Sequence, residues 1–190
     1  MPELHITGDA DADRLLSEEP LALLVGMLLD QQVPMETAFA GPAKIKARLG
    51  AFDAAAIARA DPEKFAEVFK QTPAVHRFPG SMAERTLALC AALVADWGGD
   101  AERIWTDGEP DGATVLARLK ALPGFGEQKA KIFVALLGKQ YGLTAPGWQS
   151  ASGSYGETGS YRSVADIVDA SSLTKVREFK KAAKAAAKGT

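Results

Sequence analysis

The ten residues LALLVGMLLD, from Leu21 to Asp30, constrain the fold of this chain more than any other segment. Apolar side chains occupy nearly every position, so a helix formed here would be apolar on all of its faces. Such a helix is stable only when other elements surround it. The segment therefore predicts a buried central helix with further helices packed around it.

Helical signals dominate the rest of the chain as well. Asp61-Pro62 is typical of a helix start, because Asp caps the first turn and Pro fits the first helical position. Pro42 predicts a kink or break in the helix that starts near Glu36. No two segments alternate convincingly between apolar and polar residues, as paired strands would. We therefore expect an all-α fold that forms a single domain over residues 1–190.

The segment LPGFG separates two helical segments within about residues 113–141 and is the strongest local signal. Gly124 and Gly126 can adopt a positive φ, which permits a hairpin too tight for residues with a Cβ. The second helix begins here, so its unpaired N–H groups can bind a phosphate oxygen, helped by a K⁺ or Na⁺ ion near Leu122 and Gly124. The alternative is a helix–helix corner that binds nothing. The residues expected at a phosphate backbone are Leu122, Gly124, Phe125, Gly126, Lys129 and Lys131.

The segment LPGFGEQKA, from Leu122, resembles the helix–hairpin–helix of the HhH-GPD superfamily of base-excision DNA glycosylases, whose pattern is LPGxGxxxA. Upstream, MLLDQQVPM from Met27 is similar to the family's early helix and its Gln-containing loop. RFPG from Arg77 is a weaker match. The matches follow the family's order over about residues 20–150, and the chain also resembles a small actinobacterial-type subgroup. The resemblance implies a two-lobed helical fold that binds duplex DNA and extrudes a damaged base.

The sequence departs from the family at the catalytic positions. Members carry an Asp beyond the hairpin helix, where Gln149 falls nearest in this chain. Members with lyase activity carry a Lys at the second position after the last hairpin glycine. That position is Gln128 here, and Lys129 follows about 100° further around the helix. Cys90 is the only cysteine, so the four-cysteine iron–sulfur cluster of some relatives is not expected.

Asp30 and Gln149 are the candidate catalytic residues. Asp30 ends the apolar helix beside the loop that resembles the family's intercalating loop, although it could equally be a helix-terminal residue bonded to the next turn. Gln149 could orient a water but carries no charge. Glu127 and Asp166 are further carboxylates, and their simpler interpretations are stabilisation by a helix dipole and a helix cap.

Gln31 and Gln32 are candidates to fill the gap that an extruded base leaves in the duplex. The alternative for this pair is a polar helix end. Trp148 is a candidate to stack on the extruded base, or else it anchors its loop to the core. That loop, residues 142–162, is rich in Gly and Ser and is expected to be irregular.

The formal charge of −2, from 22 basic and 24 acidic residues, at first argues against a nucleic-acid partner. The charges are polarised, however. Residues 1–20 sum to −5, residues 113–145 to +4 and residues 173–190 to +5. The basic C-terminal helix and tail, over about residues 172–190, could contact DNA or be a solvated helix end. The neutral total is therefore compatible with site-focused DNA binding.

These observations favour a monofunctional DNA glycosylase, which binds damaged or mismatched duplex DNA and hydrolyses an N-glycosidic bond. One alternative is a non-catalytic lesion-recognition module, and another is a helical protein–protein adaptor. No signal peptide is recognisable, and no apolar run approaches the ~20 residues of a membrane span. We expect a monomer in the cytoplasm, associated with the nucleoid, without cofactors other than the hairpin cation.

Overall fold

The computed structural model describes residues 2–189, and that part of the chain contains α-helices and two short 3-10 helices but no strand. The all-α prediction is confirmed. The α-helices are α1 (Ala10–Glu18), α2 (Pro20–Leu29), α3 (Met35–Leu49), α4 (Ala54–Ala58), α5 (Pro62–Lys70), α6 (Pro79–Trp97), α7 (Arg103–Thr106), α8 (Gly112–Lys120), α9 (Glu127–Gln140), α10 (Trp148–Ala151) and α11 (Ala170–Lys188). The 3-10 helices are Gly153–Gly156 and Val164–Asp166.

Helix α2 is the buried central helix, as its sequence predicts. Every residue from Leu21 to Leu29 is buried. Helix α3 crosses it closely because Gly41 has no side chain, and a Cβ there would lie 2.6 Å from Leu29 Cδ1. Helix α3 continues through Pro42, so a break at this residue is not found. Packing of the apolar face of α3 against α2 outweighs the hydrogen bond that the proline removes.

The helices form two lobes that share one core. Helices α1 to α6 pack among themselves, and α7 to α11 form the second group together with the 3-10 helices. The Tyr141 hydroxyl, on the second lobe, donates to the carbonyls of Leu16 and Ser17 at 3.3 and 3.1 Å. Arg177 of α11 forms an ion pair with Glu36 of α3. This is the two-lobed arrangement that the family resemblance implies.

The segment 142–162, expected to be irregular, contains α10 and the 3-10 helix Gly153–Gly156. Trp148 explains the added order, because its ring packs where Gly138 of α9 leaves space. A Cβ on Gly138 would lie 2.3 Å from that ring. The Gly112 amide also donates to the Pro146 carbonyl at 2.8 Å, so the segment is fixed against both α8 and α9.

Helix α11 docks on the body through its first half only. Asp169 and Ser172 form a capping box at its start, and Val176 is fully buried. All side chains from 177 to 189 are exposed. Within residues 2–189, no helix is both long and apolar enough to cross a membrane.

Candidate functional site

A cleft of about 530 Å³ lies between the two lobes. This volume is within the usual range for small-molecule sites. Its lining residues recur at helical spacings of three and four, so one face of each helix turns toward the cleft. They include Met27 and Asp30 at the end of α2, Gln128, Lys129 and Ile132 on α9, and Phe179, Lys180, Ala183 and Lys184 on α11. A larger groove of about 800 Å³ lies between α5 and α6, but its charged groups are exposed surface side chains.

Asp30 and Lys129 supply opposite charges to this cleft. Burial raises the pKa of the Asp30 carboxyl, and the positive charges of Lys180 and Lys129 oppose this effect. Burial lowers the pKa of the Lys129 ammonium to about 8, although Asp30 partly counteracts the decrease. The Lys129 Nζ donates to the Leu28 carbonyl at 2.9 Å. Two perturbed groups with opposite charges in one cleft are typical of a functional site.

Lys129 was expected at the DNA backbone, but its side chain turns into the cleft. Position 129 lies on the same face of α9 as Ile132, and that face packs toward the end of α2. Gln128, which stands where lyase-competent relatives carry a Lys, also lines the cleft. Its amide donates to the Tyr155 hydroxyl at 3.0 Å. Both residues after Glu127 therefore contribute to the cleft.

The hairpin between α8 and α9 rests on α2. Gly124 has a φ of +85°, and a Cβ there would lie 2.4 Å from Leu28 Cδ1. Gly126 differs from the prediction, since its φ is −74° and a Cβ would meet nothing within 4 Å. No contact within the described chain explains why residue 126 lacks a side chain. Such an open position beside the start of a helix allows an anion to approach the backbone.

The other hairpin residues divide into buried and charged groups. Leu122 and Phe125 are buried, so their side chains shape the hairpin and only their backbone can reach a phosphate. Glu127 forms ion pairs with Lys120 at 3.7 Å and Lys131 at 3.8 Å. These three side chains carry a net charge of +1 beside the start of α9, so the carboxylate does not cancel the positive field there.

The loop after α2 holds its two glutamines in different ways. The Gln31 amide donates to the Leu28 carbonyl at 3.0 Å, and its Oε1 accepts from Arg85 at 3.0 Å. Gln32 is exposed and has a φ of +59°, a conformation that is uncommon for residues other than glycine. The structure therefore places Gln32, and not Gln31, as the free amide of the loop.

His76 fixes this loop from below, and no sequence signal pointed to that role. It is only 2% exposed, and its Nδ1 accepts from the Phe78 amide at 3.0 Å. The proton is therefore on Nε2, which donates to the carbonyls of Leu29 and Gln31 at 3.1 and 2.9 Å. A buried neutral imidazole thus holds the turn between α2 and Gln32.

Trp148 and Gln149 do not line the cleft. Trp148 packs at Gly138, nine residues after Lys129, which places it on the opposite face of α9. Gln149 is exposed on α10. Asp166 is buried and pairs with Lys139 at 2.5 Å, while also closing the capping box with Ser163. Its simpler interpretation as a cap agrees with these contacts.

Arg162, Tyr155 and Phe179 complete the cleft, and the sequence did not single out Arg162. Its guanidinium lies over the Phe179 ring at 5.6 Å, and its Nη2 donates to Glu157 at 2.8 Å. Its Nε is buried without a hydrogen-bond partner. Phe179, which belongs to the apolar stripe of α11, remains 40% exposed. Its lysine neighbours are the one sequence signal that this stripe borders solvent.

A family model for HhH-GPD superfamily base excision DNA repair proteins matches residues 25–187. The chain belongs to the HhH-GPD superfamily. The matched region includes the end of α2, the hairpin and nearly all of α11, and therefore every wall of the cleft. Searches among curated proteins and among solved structures find no significant match.

HhH-GPD proteins bind DNA, so the hairpin and the adjacent cleft lie on a base-excision repair fold. Within residues 2–189, His, Cys, Asp and Glu side chains form no group of three that could hold a metal ion. A cation at the hairpin would therefore depend on backbone oxygens.

Proposed function

We propose that this HhH-GPD protein is a monofunctional DNA glycosylase whose Asp30 assists hydrolysis of an N-glycosidic bond in the cleft. The observation that carries the proposal is a carboxyl group with a raised pKa beside the seat of the hairpin on α2. A duplex held by the hairpin would present an extruded nucleotide to the cleft at that point. The substrate class is then a damaged or mismatched base in double-stranded DNA.

The hairpin would bind the phosphate backbone through main-chain donors. The first N–H groups of α9 have no side-chain cap, because Gly126 occupies the N-cap position. The helix dipole and the open space at Gly126 both favour a phosphate oxygen there. Lys120 and Lys131 add positive charge at the same end of the helix. A K⁺ or Na⁺ ion bound by the backbone near Leu122 and Gly124 is part of the proposal.

In the reaction, the C1′–N bond breaks and its electron pair leaves with the base. A water oxygen bonds to C1′, and its proton passes to the Asp30 carboxylate. The negative charge of that carboxylate also stabilises the cationic sugar that develops in the transition state. Because burial raises the pKa of Asp30, its carboxylate is a stronger base than one exposed to solvent.

Lys129 supports hydrolysis rather than strand cleavage. Its pKa of about 8 leaves the amine mainly protonated near neutral pH, and Nζ donates to the Leu28 carbonyl. A protonated amine cannot attack C1′ as a nucleophile. We assign Lys129 an electrostatic role, in which it helps keep Asp30 ionised.

Gln32 is the residue proposed to fill the gap left by the extruded base. It is exposed at the tip of the loop that His76 fixes, whereas the Gln31 amide is already bonded to Leu28 and Arg85. Uncommon backbone conformations such as that of Gln32 are often found at functional sites. Filling the gap would offset part of the cost of unstacking the base.

The test is a set of duplexes that each contain one lesion, assayed for abasic sites after alkali treatment. Asp30→Asn should lower the rate of base release by about 10²–10⁴-fold while DNA binding persists. Asp96→Asn, an exposed carboxylate on α6, is the matched control and should act like wild type. Equal rates for both variants would contradict the role of Asp30. A strand break without alkali that Lys129→Gln abolishes would contradict monofunctional hydrolysis.

A non-catalytic lesion-recognition module is the second candidate function. The observation that favours it is that Asp166, which follows the hairpin helix, is committed to Lys139, while Gln149 is exposed away from the cleft. Tight, salt-sensitive binding without base release from any duplex would support the module. An adaptor that binds only proteins would show no salt-dependent affinity for duplex DNA.

We further propose that the protein acts as a monomer in the cytoplasm, in association with the nucleoid. Two lobes of one chain already form every wall of the cleft, so the proposed site needs no second copy. Gel filtration with and without a short duplex tests the monomer. Binding compared in potassium, sodium and choline salts tests the hairpin cation.

A further inference from the structure

We infer that the cleft selects carbonyl-rich, deaminated bases, such as uracil and hypoxanthine, over cationic alkylated purines, and that Arg162 determines this preference. The inference rests on the proposed glycosylase function and names its substrate class. It depends on two independent features of the cleft, its charge and its unpaired hydrogen-bond donor.

The first feature is an excess of positive charge. Asp30 is the only carboxylate among the lining residues, whereas four cationic side chains line the cleft: Lys129, Arg162, Lys180 and Lys184. Charged walls around a low-dielectric cleft focus the field within it. A purine that carries a fixed positive charge would therefore be disfavoured on entry.

The same charge distinguishes the two kinds of leaving group. When the C1′–N bond of a neutral base breaks, the bonding pair makes the departing base an anion. In a deaminated base this charge spreads onto carbonyl oxygens. A cationic alkylated purine instead leaves as a neutral molecule and gains nothing from nearby cations. Fixed positive groups thus lower the barrier for the first kind only.

The second feature is the orphaned donor of Arg162. Its Nη2 is committed to Glu157, and its guanidinium lies on the Phe179 ring, but its Nε has no partner although it is buried. A buried donor that lacks a partner is costly, so a ligand that accepts from it binds with a clear advantage. A carbonyl oxygen is such an acceptor, whereas a methylated ring nitrogen is not.

Neighbouring groups fit the rest of such a base. The Tyr155 hydroxyl accepts from Gln128, which leaves its own proton available to a second carbonyl oxygen. The Gln128 amide oxygen remains available for the ring N–H that uracil and hypoxanthine carry. The exposed Phe179 ring offers an apolar face for stacking. These groups together provide donors for carbonyl oxygens and one acceptor for the imide proton.

The experiment compares single-turnover base release from matched duplexes that contain uracil, hypoxanthine or 7-methylguanine. Wild type should release the two deaminated bases faster than 7-methylguanine. Arg162→Met should slow release of the deaminated bases by about 10- to 100-fold, since it removes a charged hydrogen bond. The rate for 7-methylguanine should not fall. Arg162→Lys keeps the charge without the Nε donor and should still lose much of the preference.

Arg59→Met removes an exposed arginine outside the cleft and is the control for a general loss of positive charge. It should leave all three rates unchanged. Faster release of 7-methylguanine by wild type, or an equal loss on all substrates in Arg162→Met, would overturn the inference while leaving the glycosylase function intact. If no duplex releases its base, the proposed function fails and the inference fails with it.

Discussion

Two glycines of one hairpin should respond in opposite ways to the same substitution. Gly124 has a φ of +85°, and a Cβ added there would lie 2.4 Å from the Cδ1 of the buried Leu28. Gly126 has a φ of −74° and open space around the same position. Alanine at 124 should therefore damage the fold, and alanine at 126 should damage only DNA binding.

The sizes of these effects follow from the geometry. For Gly124→Ala, the left-handed backbone costs about 1–2 kcal/mol and the contact with Leu28 costs about 1–3 kcal/mol more. At about 2–4 °C per kcal/mol for a chain of this size, the melting temperature should fall by roughly 5–15 °C. For Gly126→Ala, a loss of up to about 1 kcal/mol at the N-cap is offset by a similar gain from the less flexible unfolded chain. Its melting temperature should stay within about 2 °C of wild type.

DNA binding gives the second half of the test. A methyl group on residue 126 would stand where a phosphate approaches the first N–H groups of α9, and losing one charge-assisted hydrogen bond weakens affinity by about 10- to 100-fold. Calorimetry and fluorescence anisotropy with a labelled duplex measure the two properties. Wild-type affinity in Gly126→Ala would refute phosphate binding at this hairpin. Wild-type stability in Gly124→Ala would refute the close seat on Leu28.

Four further predictions concern charge and burial. From pH 8 to 10.5, wild type should gain up to about 3 kcal/mol of stability over Lys129→Met in urea unfolding, because the unfolded chain holds the Lys129 proton more tightly than the folded chain. Lys139→Met should cost about 3–5 kcal/mol in urea unfolding, because it leaves Asp166 buried and unpaired. Burial raises the pKa of Cys90 to about 12, so a thiol reagent at pH 8 should react only as fast as the protein unfolds. If Lys184 contacts a phosphate, Lys184→Gln should lower the salt slope of DNA binding by about 0.9.

The helical fold could be predicted because its signals are local. The apolar run from Leu21 to Leu29 has no stable alternative to burial, and Asp61-Pro62 starts α5 as the pattern predicts. Pro42 shows the limit of local rules. A proline weakens an isolated helix, but the sequence does not reveal that α3 packs along α2 closely enough to remain helical.

The cleft could be predicted only in part, because it is assembled by tertiary contacts. Asp30 was found from its place at the end of the buried helix. Lys129 was assigned to the outside, since its position within a turn of α9 does not show which face meets α2. Arg162 lies in a segment without periodicity, so no pattern could place its side chain at the cleft. The packing of Trp148 at Gly138 likewise depends on a gap that only the folded chain contains.

Leu28 links the three parts of the proposed interface. Its side chain lies under Gly124, and its carbonyl accepts from both Lys129 and Gln31. That carbonyl belongs to the last turn of α2, where the helix dipole is negative and favours such donors. The phosphate-binding hairpin, the cleft and the loop that carries Gln32 are therefore all attached to one turn of the most deeply buried helix. A rigid central helix thus sets the distance between the backbone contact and the extruded base, which is the distance that base excision requires to be fixed.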